Sequence, residues 1–156
     1  MTMKTTAQDY HFKQEFMEKW QNSKAYTLKV ARLMPGEHYN YQPSAHVRTF
    51  GQQMQHLAEA MIYHAGLAIS LKAPKDQNPN AKTAIVNLIE ASFDLVHEAL
   101  IELDEKDFET KVKFWDGPTS RRKLLNFTLD HITHHRAQAI VLLRMNNIKP
   151  PNYIGW

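Results

Sequence analysis

Apolar positions recur at three- and four-residue intervals along most of this chain, which predicts helices rather than strands. Phe12, Phe16, Trp20, Ala25, Leu28 and Ala31 mark a first helix from about Asp9 to Leu33, closed by Met34-Pro35-Gly36. A loop from Glu37 to Pro43 follows, and Ser44 is positioned to cap a second helix, about Ala45 to Leu71. The second half of that helix is apolar on most of its circumference, as expected of a helix deep in a bundle. Ala73 to Asn80, with two prolines, reads as a connector. Asn80 is then the cap of a third helix, about Ala81 to Leu103, whose core positions are Ile85, Leu88, Phe93, Val96 and Leu100.

The period changes at Phe108. From there to Trp115, apolar or neutral residues alternate with Glu109, Lys111 and Lys113, a repeat of two that predicts an extended segment. Asp116-Gly117-Pro118 reads as a turn, and Thr119 or Ser120 as the cap of a last helix running to about Asn147, before Lys149-Pro150-Pro151. Four helices of this length predict an all-α four-helix bundle. The 156 residues fit one domain, 1–156, by length. The eight residues Ala73 to Asn80 reach at most about 28 Å, whereas a 25-residue helix is about 37 Å long. Loop length therefore favours antiparallel packing of the second and third helices.

Composition narrows the chemistry. There are no cysteines, which removes disulfides, thiolate ligands and a cysteine nucleophile. The first ten residues carry no apolar run after Lys4, so no signal peptide is expected, and a cytoplasmic location fits. No apolar stretch approaches the roughly 18 residues of a membrane span. The formal charge is +3, and Arg121-Arg122-Lys123 is the one dense basic cluster. No aromatic-interleaved basic stripe accompanies it, so nucleic acid is not the expected partner. A solvated turn is the plain explanation of that cluster, although cations are disfavoured at a helix start.

Nine histidines remain to be explained. His131 and His135, four apart, share one face of the last helix with Leu124, Thr128, Gln138 and Leu142. Two adjacent imidazoles inside a bundle are costly unless each finds a partner, and a divalent cation held by neutral ring nitrogens supplies one. The plain alternative is a pair of polar residues hydrogen-bonded in the core. His134 points about 100° away from His135 and reads as a supporting or surface residue. A third ligand has to come from His56 or His64 on the second helix, or His97 on the third. The apolar stripe of Phe50, Met54, Leu57, Met61 and Ala68 is centred away from His56, so periodicity alone leaves these candidates open.

The segment Asp130-His131-Ile132-Thr133-His134-His135-Arg136-Ala137-Gln138 resembles the C-terminal signature of the DinB family, a histidine pair followed by Arg, a small residue and Gln. Thr49 to Ala58, with His56, is similar to the family's second-helix pattern, and the loop Leu33 to Pro43 and the tail Ile148 to Tyr153 match in kind. Ala137 stands where the family often has Gly. The resemblance implies a bundle of up-down-down-up order, against the loop-length reading, often as a homodimer. It implies a divalent metal (zinc, nickel or iron) on His56, His131 and His135. It further implies a metal-dependent transferase that activates a low-molecular-weight thiol, with a hydrolase or a non-enzymatic metal-stabilised or metal-sensing protein as alternatives. Glu59 and Asp130 are candidates to orient ligands, Tyr63 to line the pocket or pack in the core, and Arg136 to hold an anion or a carboxylate.

Overall fold

The computed structural model describes residues 12–71 and 81–155. Four helices dominate: α1 (Phe12–Leu33), α2 (Phe50–Ile69), α3 (Lys82–Ile101) and α4 (Arg121–Met145). Short 3-10 turns lie at Gly36–His38 and Glu105–Glu109, and strands β1 (Lys111–Phe114) and β2 (Gly117–Ser120) pair antiparallel before α4. The expected start of the first helix at Asp9, the connector Ala73 to Asn80 and the Asn80 cap lie outside the described residues.

α2 begins later than Ser44 and Ala45 suggested. Residues 44–47 form turns and bends, and Thr49 is the cap. Its Oγ1 accepts from Gln52 N at 3.1 Å, while Gln52 Oε1 accepts from Thr49 N at 3.0 Å. This reciprocal box satisfies two backbone donors, an advantage Ser44 lacks. The loop ahead of it is pinned to the new helix, because Gly51 N donates to Tyr39 O at 2.8 Å. Tyr39 in turn donates its hydroxyl to Ala31 O of α1 at 2.6 Å.

The period-two segment starts later than expected as well. Phe108 sits in the second 3-10 turn and is buried in the core, and only Lys111–Phe114 forms a strand. Phe114 faces Gly117 across the pair, so the turn is Trp115-Asp116, and Gly117 and Pro118 belong to β2. Thr119 is a strand residue; Ser120 caps α4, its Oγ accepting from Lys123 N at 3.2 Å.

Contacts between named residues set the topology. Ile85 near the start of α3 lies against Gly51 near the start of α2, so these two helices run parallel. Lys13 at the start of α1 donates to Ile101 O and Leu103 O at the end of α3, so α1 and α3 are antiparallel. Arg122 at the start of α4 lies over the Phe12 ring at the start of α1, so those two are parallel. The order is up-down-down-up. The expectation of antiparallel second and third helices fails because both are shorter than their apolar patterns implied. α2 spans about 30 Å at 1.5 Å per residue, and the twelve residues between Ile69 and Lys82 reach about 40 Å.

The core is built on Trp20, Phe50, Phe93, Met54, Leu57, Met61, Leu100 and Leu125, all fully buried. Trp20 packs against Phe93, ring centroids 5.0 Å apart, and donates its Nε1–H to Phe93 O at 3.0 Å. Each such aromatic contributes a large apolar area, and the indole N–H finds the partner that burial demands. The basic cluster at the start of α4 is tied down. Arg121 Nε donates to Ala68 O at the C-terminal end of α2, at 2.9 Å, and Arg122 pairs with Glu109 at 3.0 Å. A guanidinium beside the open carbonyls that end α2 offsets its unfavourable place at the head of α4. Among the described residues no helix is long and apolar enough to cross a membrane.

Candidate metal centre

α2 and α4 pack against each other more extensively than any other two helices, and the histidines meet at their interface. One ring nitrogen from each of His56, His131 and His135 lies within 4.8 Å of the other two. The His56 ring centroid is 4.5 Å from that of His135 and 5.5 Å from that of His131. His131 Nε2 and His135 Nε2 are 3.2 Å apart. Two nitrogens on one tetrahedral zinc, each about 2.0–2.1 Å from it, would be separated by about 3.3 Å, so the α4 pair is spaced as ligands are. Nδ1 of His131, the nitrogen not turned toward His135, is buried with no hydrogen-bond partner among the described residues, as is Nδ1 of His64 outside the group. Donor type and spacing fit a borderline divalent cation.

The rings are held neutral. Burial, followed by the fields of neighbouring histidines and of Arg48, pushes His135 down to about 3 and His131 down to about 4. His56 is also lowered, by burial and then Arg48, with Glu59 working the other way. Neutral imidazole is the form that ligates a metal.

Gln53 of α2, buried and not singled out by the sequence, organises the cluster from behind. Its Nε2 lies 2.6 Å from His135 Nδ1 and donates to Gln138 Oε1 at 2.9 Å. In that orientation the proton of His135 sits on Nε2, shared with His131. Turning the amide by 180° would present Oε1 to an Nδ1–H and free Nε2 for a cation. Gln138 also reaches His134 Nε2, at 2.7 Å, so His134 is exposed yet linked to the site, its ring 4.8 Å from His135.

The other expected residues are distributed around this centre. His64 is buried beside His131, centroids 4.9 Å apart, but outside the three-nitrogen group. Phe127, Phe114 and Trp115 stand around it, so the β-hairpin walls this end of the cluster. Tyr63 is 60% exposed and touches His64 edge-on, so it is not a core residue. His97 is distant, its Nδ1 2.9 Å from Gln21 Nε2 between α1 and α3. Glu59 is exposed and accepts from Gln55 at 2.8 Å. Asp130 lies apart from the ligands and lines a second cavity, with Lys19, Ser23 and Arg136. Arg136 is buried against α1, where its Nη1 donates to Ser23 Oγ at 2.9 Å and Thr27 Oγ1 at 3.1 Å, with its guanidinium 4.7 Å over the Tyr26 ring. Its partners among the described residues are neutral oxygens and an aromatic face, so the expected carboxylate is not among them.

On the opposite side from the hairpin's aromatic residues, His56 opens onto a cavity of about 770 Å³ lined also by Arg48, Gln52, Gln55 and Glu59. Arg48 was not legible as a site residue; it lies just outside α2, where no helical period places it.

The description "DinB family" applies to a family pattern that matches residues 1–153. A DinB-like protein from Bacillus cereus has a similar structure, with a TM-score of 0.77, 22% identity, and 90% of this chain covered against 96% of the other. A DinB-like protein from Bacillus subtilis gives 0.76 at 17% identity, covering 90% and 97%. A third, described as a putative DinB family member from Exiguobacterium sibiricum, gives 0.71 at 21%, covering 92% and 97%. At these identities the structural likeness speaks for the fold alone. No curated protein matches the chain. The family match across nearly the whole sequence, and the bundle it shares with these structures, establish that the chain belongs to the DinB family.

Proposed function

We propose that this chain is a metal-dependent transferase that holds a divalent cation on His56, His131 and His135 and uses it to activate a small thiol. The observation that carries the reading is that His56, one of the three clustered histidines, also lines a cavity large enough for a small molecule. A structural site would be closed and filled; three protein ligands with access beside them leave room for a substrate. Bound there, the cation would lower the pKa of a thiol and present it as a nucleophile at neutral pH. The protein's own part is positional. α2 and α4 fix the three rings, Gln53 orients His135, and the wall of Phe114, Trp115 and Phe127 keeps water from the His64 end.

The test is metal content of protein purified without an affinity tag, for the native chain and for His56→Ala, His131→Ala and His135→Ala. Near-stoichiometric metal, lost in each variant, is expected. The metal-loaded chain should then consume a thiol and an alkyl halide together, forming a thioether and releasing halide and a proton. A native chain that takes up no metal, or a loaded chain no faster than the stripped one, overturns the reading.

A further inference from the structure

Arg48 is exposed on the lip of the cavity that His56 opens onto, and Glu59 lines the same cavity. The two do not pair with each other, and among the described residues Arg48 makes neither an ion pair nor a hydrogen bond. A cation lining the same cavity as His56, and without a carboxylate partner among the described residues, is arranged to receive one from a ligand. We propose that the cavity takes a small thiol bearing a single carboxylate, the carboxylate on the Arg48 guanidinium and the sulfur end directed to His56, His131 and His135.

The planar guanidinium matches a carboxylate with two parallel hydrogen bonds, a fit no lysine reproduces. Glu59 on the same lining opposes a second negative charge, which favours a monocarboxylate over a phosphate dianion. At about 770 Å³ the cavity is within the range of small-molecule sites and well beyond what a bare metal ion needs. The inference rests on the metal-centre reading and adds to it the class of thiol and the residue that selects it.

The experiment is calorimetric titration of the zinc-loaded full chain with 3-mercaptopropionate and with its neutral counterpart 3-mercapto-1-propanol, for the native protein, Arg48→Gln and Arg48→Lys. Zinc content is measured on every sample. Arg48→Gln should weaken 3-mercaptopropionate about tenfold, as expected for one partly exposed charge-assisted contact, and leave the neutral thiol unchanged. Arg48→Lys should retain part of the preference. Full zinc with both thiols bound alike by native and Arg48→Gln protein overturns this inference and leaves the metal centre standing. A native chain that takes up no zinc overturns both.

Discussion

The depressed basicity of the paired histidines on α4 makes the metal-free chain acid-sensitive in a calculable way. An imidazole whose folded pKa lies below its unfolded value of about 6.5 stays neutral in the native state while the unfolded chain takes up the proton. Its contribution is present in full above pH 6.5 and is lost as pH falls toward the folded value. For His131 that window runs from about 6.5 down to about 4, and for His135 down to about 3. By pH 5 the pair, coupled to each other and partly open to solvent, has together cost on the order of 2 kcal/mol, a sizeable part of the roughly 5–15 kcal/mol of a typical domain. At a urea slope of about 2 kcal/mol per molar, the unfolding midpoint should fall by about 1 M between pH 8 and pH 5. The assay is urea unfolding followed by circular dichroism, in the presence of a chelator. The double variant His131→Gln/His135→Gln should lose most of that pH dependence, with His56 and His64, also lowered by burial, supplying the remainder. A midpoint that does not move with pH, or a fall undiminished in the double variant, would refute the account of the site as an enforced cluster of neutral imidazoles.

Two further outcomes follow from the surroundings of the site. Gln53→Ala removes the group behind His135 and should weaken metal binding about 10- to 100-fold in chelator competition, with the helical signal retained; unchanged affinity would mean that Gln53 serves packing alone. Gly51→Ala would place a Cβ 3.2 Å from Tyr39 O and 3.3 Å from Tyr39 Cδ1, and with that crowding set against the roughly 1 kcal/mol Ala gains over Gly in a helix, urea unfolding should show a net loss of about 1 kcal/mol, whereas equal or higher stability would show that the loop yields freely.

Much of this was readable in the sequence, and the misreadings have physical causes. The i, i+4 histidines on α4 lie on its buried stripe, and their geometry follows from helix period alone. His56 did not, because α2 is packed on two sides. Its apolar stripe marks the core, while His56 faces α4 beside it, and a single-stripe reading sees only the stronger direction. The start of α2 was recoverable: Thr49 and Gln52 carry the spacing of a capping box, but Ser44 came first in the chain and lay nearer the loop. The parallel pairing of α2 and α3 depended on where the helices end: five residues fewer at the start of α2 shorten the span, and two at its end and one at the start of α3 lengthen the connector. Gln53 and Arg48 carried no signal. A glutamine on a helix and an arginine in a loop are ordinary surface residues until the fold places them beside three imidazoles.

The ligand set spans the chain unevenly. His131 and His135 are one helical turn apart, whereas His56 is 75 residues before His131, with the α2–α3 connector, all of α3 and the hairpin in between. A cation joining the two groups would therefore act as a reversible cross-link across nearly half the protein. Closing a loop of that length removes unfolded-state entropy on the order of 4 kcal/mol. The i, i+4 pair could grip the ion while the rest of the chain is still unfolded, so the metal would enter folding as a tether as well as a late guest. Removing it would then release the loop carrying α3 from α4, loosening the half of the bundle whose connection is longest.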